Sequence, residues 1–247
     1  MRLFTTVSWR KTGWSLIGSI GVFSLLFLTT PEIDLRFSAL FFEQADGFAH
    51  GLDAIFGVVR NILMYGLMLV ALGTILLLLR NLAIGKRRAV SLNVWGFMVA
   101  SIVIGPLGLV NGILKTYWGR ARPFKVEYFG GDKTFTPPMV MTDQCDVNCS
   151  FVSGEGSAIA TALIVLGIAL WANMTATWRA ISLYFLLPLG LFGIALRIIT
   201  GQHFLSDTVF GALYCALIIW FFYGFFKMSD HLNDLTWSNF KKDMSKA

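Results

Sequence analysis

The sequence predicts an all-α, polytopic membrane bundle with about six transmembrane helices and one large extracytoplasmic loop. Of its 247 residues, 56% are hydrophobic, 15% are aromatic and only 14% are charged. Soluble domains carry about a quarter charged residues. Apolar runs recur along the whole chain, and a run of about 20 such residues crosses a bilayer as a helix. No linker or repeat divides the chain, so residues 1–247 are expected to form one membrane-embedded domain.

The spans are assigned from the apolar runs in chain order. They are expected at Gly13–Leu28, Arg60–Leu79, Val94–Leu114, Ala158–Trp171, Ala180–Leu196 and Thr208–Phe226. The fourth and fifth runs are short for a span, so they are expected to take in flanking residues or to cross a thinned region. The first run has a basic leader, but no small-residue cleavage pattern precedes Pro31. It is therefore interpreted as an uncleaved anchor.

Charged residues between the spans predict the orientation. Basic residues flank one set of span ends: Arg2, Arg10, Lys11, Arg80, Lys86, Arg87, Arg88, Arg179, Lys227, Lys241, Lys242 and Lys246. Acidic residues concentrate on the other side: Glu32, Asp34, Glu43, Asp46, Glu127, Asp132, Asp143, Asp146 and Glu155. The positive-inside rule then places both termini in the cytoplasm. The large loop, about 115–157, lies outside, and the tail, about 227–247, lies inside.

The net charge of +6 does not indicate nucleic-acid binding. The basic residues divide between the cytoplasmic flanks and one compact outer cluster, whereas a nucleic-acid interface needs a continuous basic face. The outer loop contains turn formers, among them Gly130-Gly131 and Pro137-Pro138. A loop of this length inside a compact domain usually serves a function.

Two of the three cysteines lie in this loop. Cys145 and Cys149 are four residues apart, and in an oxidising compartment a disulfide is the favoured interpretation. Free thiols are the alternative, and a metal site is disfavoured because no further His or Cys completes a ligand set. Cys215 lies inside the sixth apolar run and is expected to be a packing residue.

The segment after the first span is unusually aromatic. It contains Phe37, Leu40, Phe41, Phe42 and Phe48. An interfacial helix on the outer leaflet would explain this composition and could form one wall of a lateral opening for lipid. An aromatic belt that anchors the spans explains it equally well.

Three basic residues and one histidine beside the outer ends of the spans indicate a phosphate site. Lys115, Arg122 and Arg197 supply positive charge and guanidinium groups that suit phosphoryl oxygens. His203 is a candidate nucleophile. Asp207, four residues later, would lie on the same helical face and could orient the imidazole. Ionisable groups beside membrane spans are by default functional.

Ser153 and Gly154 stand where the fourth span begins. A helix N-terminus offers free N–H groups to an anion, although a serine here is more commonly a simple N-cap. Two further cations, Arg120 and Lys125, lie nearby. Arg120 is the candidate for an additional substrate contact, and Lys125 is expected at the surface.

These segments resemble the motifs of the type 2 phosphatidic acid phosphatase superfamily. The matching segments are Lys115-x6-Arg122-Pro123, Ser153-Gly154 and Arg197-x5-His203-x3-Asp207. The resemblance implies a metal-independent phosphatase without a cofactor, in which His203 attacks phosphorus to form a phosphohistidine and Asp207 orients it. It implies five phosphate ligands: Lys115, Arg122, Ser153, Gly154 and Arg197.

The chain departs from the superfamily pattern at two positions. Leu196 replaces a serine, and Glu155 replaces the histidine that protonates the leaving group. Glu155 is the favoured candidate for this acid, although nearby cations oppose its protonation. Alternatively, Glu155 positions a basic residue or a polar substrate group, while His50 or water supplies the proton.

The outer loop is similar to that of bacterial lipid A 4′-phosphatases over WGRARP, FGGDKTFTPP and QCDVNCSFVSGE. This resemblance implies lipid A as substrate, membrane lipids as surroundings, and an inner-membrane protein with a periplasmic active site. Other lipid phosphates (undecaprenyl diphosphate, phosphatidylglycerophosphate, phosphatidic acid), lipid-to-lipid phosphotransfer and a non-catalytic lipid-binding role stay open. The sequence shows no protein partner.

Overall fold

The computed structural model describes residues 8–48, 53–85 and 88–245. Within these ranges the chain is helical apart from one short hairpin and the segment between the third and fourth spans. Five residues considered above lie outside the described residues: Arg2, His50, Lys86, Arg87 and Lys246.

The helices follow one another with short connections except before the fourth span. They are α1 (Trp9–Thr29), α2 (Glu32–Ala39), α3 (Asp53–Ala83), α4 (Leu92–Tyr117), α5 (Gly154–Leu170), α6 (Ala176–Ile199), α7 (Leu205–Phe225), α8 (Met228–His231) and α9 (Trp237–Met244). Strands β1 (Phe42–Glu43) and β2 (Gly47–Phe48) pair antiparallel between α2 and α3. The predicted all-α membrane bundle is confirmed.

The predicted spans correspond to α1 and α3 to α7. By length and hydropathy, α1, α3, α4, α6 and α7 can each cross a membrane, while α5 is a shorter apolar helix. The fourth span is thus short, as predicted, with 17 residues. The fifth apolar run gains residues at both ends, also as predicted, and α6 reaches 24 residues.

Helix α5 lies at the centre of the bundle and packs against α4, α6 and α7. One apolar cluster surrounds its C-terminal half, with Val94, Phe97, Val165, Ile168 and Ile219 at its centre. A second lies beneath the outer segment and consists of Phe27, Val110, Leu114, Phe151, Val152, Phe210 and Cys215. Cys215 is buried and unpaired, which agrees with the packing role predicted for it.

The last turns of α4 and α6 and the first turns of α5 and α7 meet on one side of the bundle and carry predicted motif residues. Helix α4 includes Lys115 in its last turn, because it continues to Tyr117. Its preceding stretch, Val103–Leu114, is wound in wide π-helical turns around Pro106. Helix α6 ends with Arg197 in its last turn, and α7 begins with Asp207 in its first turn.

The segment between α4 and α5 folds back over these ends. Gly119 has φ +69°, and a Cβ there would lie 1.6 Å from the carbonyl oxygen of Thr142, so only glycine fits this turn. The Trp118 indole stacks on Phe151 at 4.7 Å between ring centroids and donates a 2.7 Å hydrogen bond to the Pro138 carbonyl. The turn therefore fixes where Arg120 and Arg122 enter the site.

The aromatic segment after the first span forms α2 and the hairpin. The rings of Phe42 and Phe48 pack against Phe129 at 5.1 and 5.0 Å. Phe48 also covers Gly201, which has a left-handed backbone with φ +63°; a Cβ there would lie 2.4 Å from the Phe48 ring. Part of this segment is helical, as α2; whether it lies in the membrane interface as a wall for lipid or belongs to an aromatic belt stays a prediction.

Candidate active site

A polar cavity of about 330 Å³ lies where the four helix ends meet. Its lining residues come from five parts of the chain: Arg60, Lys115, Arg122, Asn148, Glu155, Arg197, Gln202 and His203. Four of these are lysine or arginine and one is a carboxylate, so the cavity is strongly cationic. Such a cavity suits a dianionic phosphate group. The sequence had predicted five of these residues; Arg60, Asn148 and Gln202 were missed.

His203 lies in the loop between α6 and α7 and is 1% exposed. Its backbone N–H donates to the Arg197 carbonyl at 2.9 Å, which ties the loop to the end of α6. The imidazole Nδ1 lies 2.8 Å from the Ser150 carbonyl oxygen. A carbonyl only accepts hydrogen bonds, so Nδ1 carries the proton and the Nε2 lone pair is left for the cavity.

The environment of His203 favours its neutral form. Burial lowers the pKa of the imidazole from 6.5 to about 4. The Asp207 carboxylate opposes this shift, and the cations of Lys115 and Arg122 act in the same direction as burial. A neutral imidazole with a free Nε2 is the nucleophilic form.

Asp207 supports His203 less directly than the sequence predicted. His203 precedes α7 instead of lying within it, and Asp207 Oδ2 is 3.7 Å from Nδ1. The carboxylate accepts from the Ser150 hydroxyl at 2.5 Å and from the Phe204 N–H at 2.8 Å. Asp207 therefore fixes the imidazole through two neighbours: Ser150, whose carbonyl binds Nδ1, and Phe204, the residue after His203.

Arg120 does not line the cavity. It is completely buried behind His203, where its guanidinium binds Asp207 at 2.7 Å and Asp34 at 2.9 Å. It also donates to Ser206 and to the Thr136 carbonyl, and it lies 4.4 Å over the Phe204 ring. These buried acceptors already use the guanidinium, which does not favour the substrate contact predicted for Arg120; that contact stays a prediction. Its position indicates that it orients Asp207.

Asp34, which was predicted only as one of the acidic residues of the outer side, completes this buried network. It is 0% exposed and accepts from the Ser206 backbone N–H at 2.9 Å. Burial raises the pKa of this carboxyl, while the Arg120 guanidinium opposes the shift. Asp34 links α2 to the start of α7.

Lys115 and Arg122 face one another across Asn148. The Lys115 ammonium donates to the Asn148 side-chain oxygen at 2.9 Å. The Arg122 guanidinium donates to the Asn148 main-chain carbonyl at 2.8 and 3.2 Å, and to the Gln202 side chain. These neutral oxygens hold the two cations beside the cavity.

Glu155 forms a cluster with two arginines. Arg60 donates three hydrogen bonds to the carboxylate, at 2.6, 2.9 and 3.0 Å. Arg197 Nε lies 3.3 Å from Oε2, but it makes no hydrogen bond within the described part of the chain. Both carboxylate oxygens thus face guanidinium donors, which is the geometry of an ionised carboxylate and not of a proton donor.

Arg60 belongs to α3 and its side chain is 45% exposed. From sequence, Arg60 was expected only to begin the second apolar run. A charged residue at such a position could have signalled a functional role, but its partner lies 95 residues away in sequence.

Ser153 is the N-cap of α5. Its hydroxyl accepts from the Gly156 N–H at 3.2 Å, and the side chain is completely buried. A Cβ on Gly154 would lie 2.7 Å from the Asn111 side-chain oxygen, so a larger residue there would displace the Asn111 side chain. Neither residue lines the cavity. Glu155, in the first turn, does, so this helix N-terminus adjoins the site. Phosphate binding by Ser153 and Gly154 stays a prediction.

Cys145 and Cys149 form the predicted disulfide. Within residues 8–48, 53–85 and 88–245, no group of three or more His, Cys, Asp or Glu side chains is arranged to hold a metal ion.

Comparison with known proteins identifies relatives of this chain. The family model for the PAP2 superfamily matches residues 94–230. A lipid A 4′-phosphatase of Francisella tularensis subsp. novicida is 34% identical over 205 residues, which cover 81% of this chain and 88% of the relative. A lipid A 4′-phosphatase of Rhizobium leguminosarum is 32% identical over 208 residues, covering 76% and 84%. That of Rhizobium etli is 31% identical over 222 residues, covering 82% and 79%. No solved structure matches significantly.

Proposed function

Because this chain belongs to the PAP2 superfamily, we propose that it is a membrane lipid phosphatase that removes the 4′-phosphate of lipid A. The names of its relatives support this substrate. The observation that carries the proposal is the buried His203, whose Nδ1 is bound to a carbonyl at 2.8 Å and whose Nε2 is open to a cationic cavity.

In the proposed reaction, His203 Nε2 attacks phosphorus and the bond from phosphorus to the lipid oxygen breaks. The lipid leaves as an alcohol, taking a proton from water, and the phosphoryl group stays on Nε2. A second water then attacks phosphorus and gives a proton to the hydroxide left by the first, which releases inorganic phosphate and the neutral imidazole. Ser150 and Asp207 are positioning groups that hold the ring and offset its positive charge in the intermediate.

The cations of the cavity stabilise the transferring phosphoryl group. Lys115, Arg122 and Arg197 face the space in front of His203. Such preorganised donors act on charge that develops in the transition state. The N-terminus of α5, from Ser153 and Gly154 onward, adds its partial positive charge.

For Glu155 we propose positioning of Arg60 and Arg197 in place of an acid role, since both its oxygens face guanidinium donors. Water then supplies the leaving-group proton. His50, the other alternative, lies outside the described residues.

Glu155→Gln tests this role. We expect kcat to fall by only about tenfold, the effect of weakened charge-assisted hydrogen bonds, and inorganic phosphate to inhibit more strongly because the cavity loses its single carboxylate. Glu155→His should have no higher kcat than Glu155→Gln. Exposed Glu127→Gln is the control, measured by phosphate release and product inhibition. Near-complete loss with Gln, together with rescue by His, would establish Glu155 as the acid.

The protonation state of His203 predicts a pH dependence. With its pKa lowered to about 4, His203 should stay neutral between pH 5 and 7, where an ordinary histidine of pKa 6.5 becomes charged. In the unfolded chain it titrates near 6.5, so its contribution to stability is complete above that pH and declines as pH falls toward about 4.

Carbon NMR of protein labelled at the histidine Cε1 measures this titration directly, with His203→Gln to assign the signal. A midpoint near 6.5 in the folded protein would contradict the buried, neutral nucleophile.

We further propose that the protein lies in the bacterial inner membrane with both termini in the cytoplasm and the cavity at the periplasmic face. The cavity and the disulfide lie at one end of the bundle. At the opposite helix ends lie Arg80 in the last turn of α3, Arg88 between α3 and α4, and Arg179 near the start of α6. This arrangement agrees with the positive-inside rule. Cysteine labelling with an impermeant reagent in intact spheroplasts would test it.

The substrate is tested by incubating the purified protein with bis-phosphorylated lipid A and fragmenting the products by mass spectrometry. Loss of phosphate from the distal sugar is expected. Release only from polyprenyl or glycerol lipid phosphates would reassign the substrate, transfer of label to a second lipid would indicate a phosphotransferase, and no turnover of any of them would favour a binding protein.

A further inference from the structure

The disulfide closes a five-residue ring, Cys145–Cys149, directly beside the phosphate site. Within it, Asn148 has a left-handed backbone with φ +54°, a conformation that asparagine tolerates better than other residues with a side chain. Cys149 is completely buried and its N–H bonds the Lys115 carbonyl at 3.4 Å. The ring is therefore anchored on its buried side to the end of α4.

Asn148 presents two oxygens to two different cations. Its side-chain Oδ1 accepts from Lys115 Nζ at 2.9 Å, and its main-chain oxygen accepts from both Nε and Nη2 of Arg122. Two like charges held this close in a partly buried cavity repel one another. A neutral residue that binds both offsets the repulsion without adding negative charge that would exclude phosphate.

The same segment also reaches the nucleophile. Directly after the ring, the Ser150 carbonyl accepts from His203 Nδ1 at 2.8 Å and its hydroxyl binds Asp207 at 2.5 Å. The Ser150 N–H donates to the Arg120 carbonyl at 2.9 Å. The segment from Cys145 to Ser150 thus contacts two cationic side chains of the proposed phosphate site, Lys115 and Arg122, and then the His203 imidazole.

We propose that the disulfide-closed ring Cys145–Cys149 is a positioning device for the phosphate site, in which Asn148 sets the separation of Lys115 and Arg122. This inference rests on the proposed phosphatase function. It assigns to Asn148 a role in substrate affinity and makes that affinity dependent on the disulfide. The left-handed backbone matters because it turns both oxygens of one residue toward the cavity.

Three substitutions of Asn148 separate the side chain from the backbone. Asn148→Gly keeps the left-handed backbone and loses only the contact to Lys115, so KM should rise about tenfold with kcat within twofold, as for one lost charge-assisted hydrogen bond. Asn148→Ala also strains the backbone and should raise KM further. Asn148→Asp has the same shape but places a competing negative charge on Lys115 and beside Arg122, so KM should rise about a hundredfold.

Val147→Ala is the matched control, since Val147 belongs to the same ring and is 81% exposed; it should leave KM unchanged. The proposal is overturned if the Gly, Ala and Asp variants show the wild-type KM, or if they lower kcat and thermal stability equally while KM stays constant, which would indicate a structural role only.

The disulfide is tested by reduction. A mild reductant should raise the KM of the wild-type protein about tenfold, and reoxidation should restore it. The double variant Cys145→Ser/Cys149→Ser should show the raised KM from the start and no response to reductant. Wild-type KM in this double variant would overturn the role of the ring.

Binding of inorganic phosphate, measured by titration calorimetry on the wild-type, Asn148→Gly and double-serine proteins, separates this inference from the proposed function. If the wild type binds phosphate more tightly than both variants but turns over no lipid phosphate, the proposed function fails and the ring's role stands. If the wild type is an active phosphatase and all three proteins bind phosphate equally, the inference fails alone.

Discussion

Replacing His203 by alanine is expected to lower kcat by about four orders of magnitude or more, the scale seen when a covalent nucleophile is removed. Among the described residues that line the cavity, no other side chain can replace it, since these are cations, amides and the ion-paired Glu155. The fold should persist, because His203 contributes one hydrogen bond to a backbone carbonyl. Product formation from lipid A, followed by mass spectrometry, gives the measurement.

His231→Ala is the matched control. It too is a histidine paired with an aspartate, with Nδ1 3.0 Å from Asp234, but it lies in α8, away from the cavity. It should retain wild-type kcat. Brief incubation of the wild type with labelled substrate should in addition trap label on protein in an acid-labile form. Full activity of His203→Ala would refute the proposed mechanism, and acid-stable label on another residue would transfer the nucleophile's role to that residue.

The helical bundle could be predicted from sequence because each membrane span is a continuous run of apolar residues. The motif residues Lys115, Arg122, Arg197 and His203 were also predictable, since their short spacings place them beside span ends. The start of α7 was predicted less accurately. The helix begins at Leu205, after His203, so Asp207 binds the backbone N–H of Phe204 and does not share a helical face with His203.

The remaining site residues depend on contacts between segments distant in the chain. Arg60 meets Glu155 across 95 residues, and Asp34 meets Ser206 across 172. No local pattern encodes such a pair. The role of Glu155 was hard to predict for the same reason. The sequence showed cations near it, but Arg60 belongs to α3, and only the position of α3 in the fold brings its guanidinium to the carboxylate.

Arg120→Ala is expected to have the largest effect on stability. Asp34, Arg120 and Asp207 are each 0% exposed, and the substitution leaves two buried carboxylates without their cation. Breaking a buried ion pair in this way costs about 3–5 kcal/mol, a large part of the roughly 5–15 kcal/mol that stabilises a typical fold. Thermal unfolding in detergent, followed by circular dichroism, should show a much lower midpoint, whereas exposed Lys125→Ala should not change it.

A second substitution distinguishes this buried network from a substrate contact. Asp34→Asn removes one of the two stranded charges, so in the Arg120→Ala background it should recover part of the lost stability, with a coupling between the two positions of about 1–3 kcal/mol. Arg120→Lys should be intermediate, because an ammonium keeps the charge but cannot span Asp34 and Asp207 as the planar guanidinium does. A folded Arg120→Ala protein of normal stability with only a raised KM would instead place Arg120 on the substrate. Since the guanidinium of Arg120 binds the carboxylate that holds Ser150, the expected loss of stability and loss of the His203 geometry have the same physical cause.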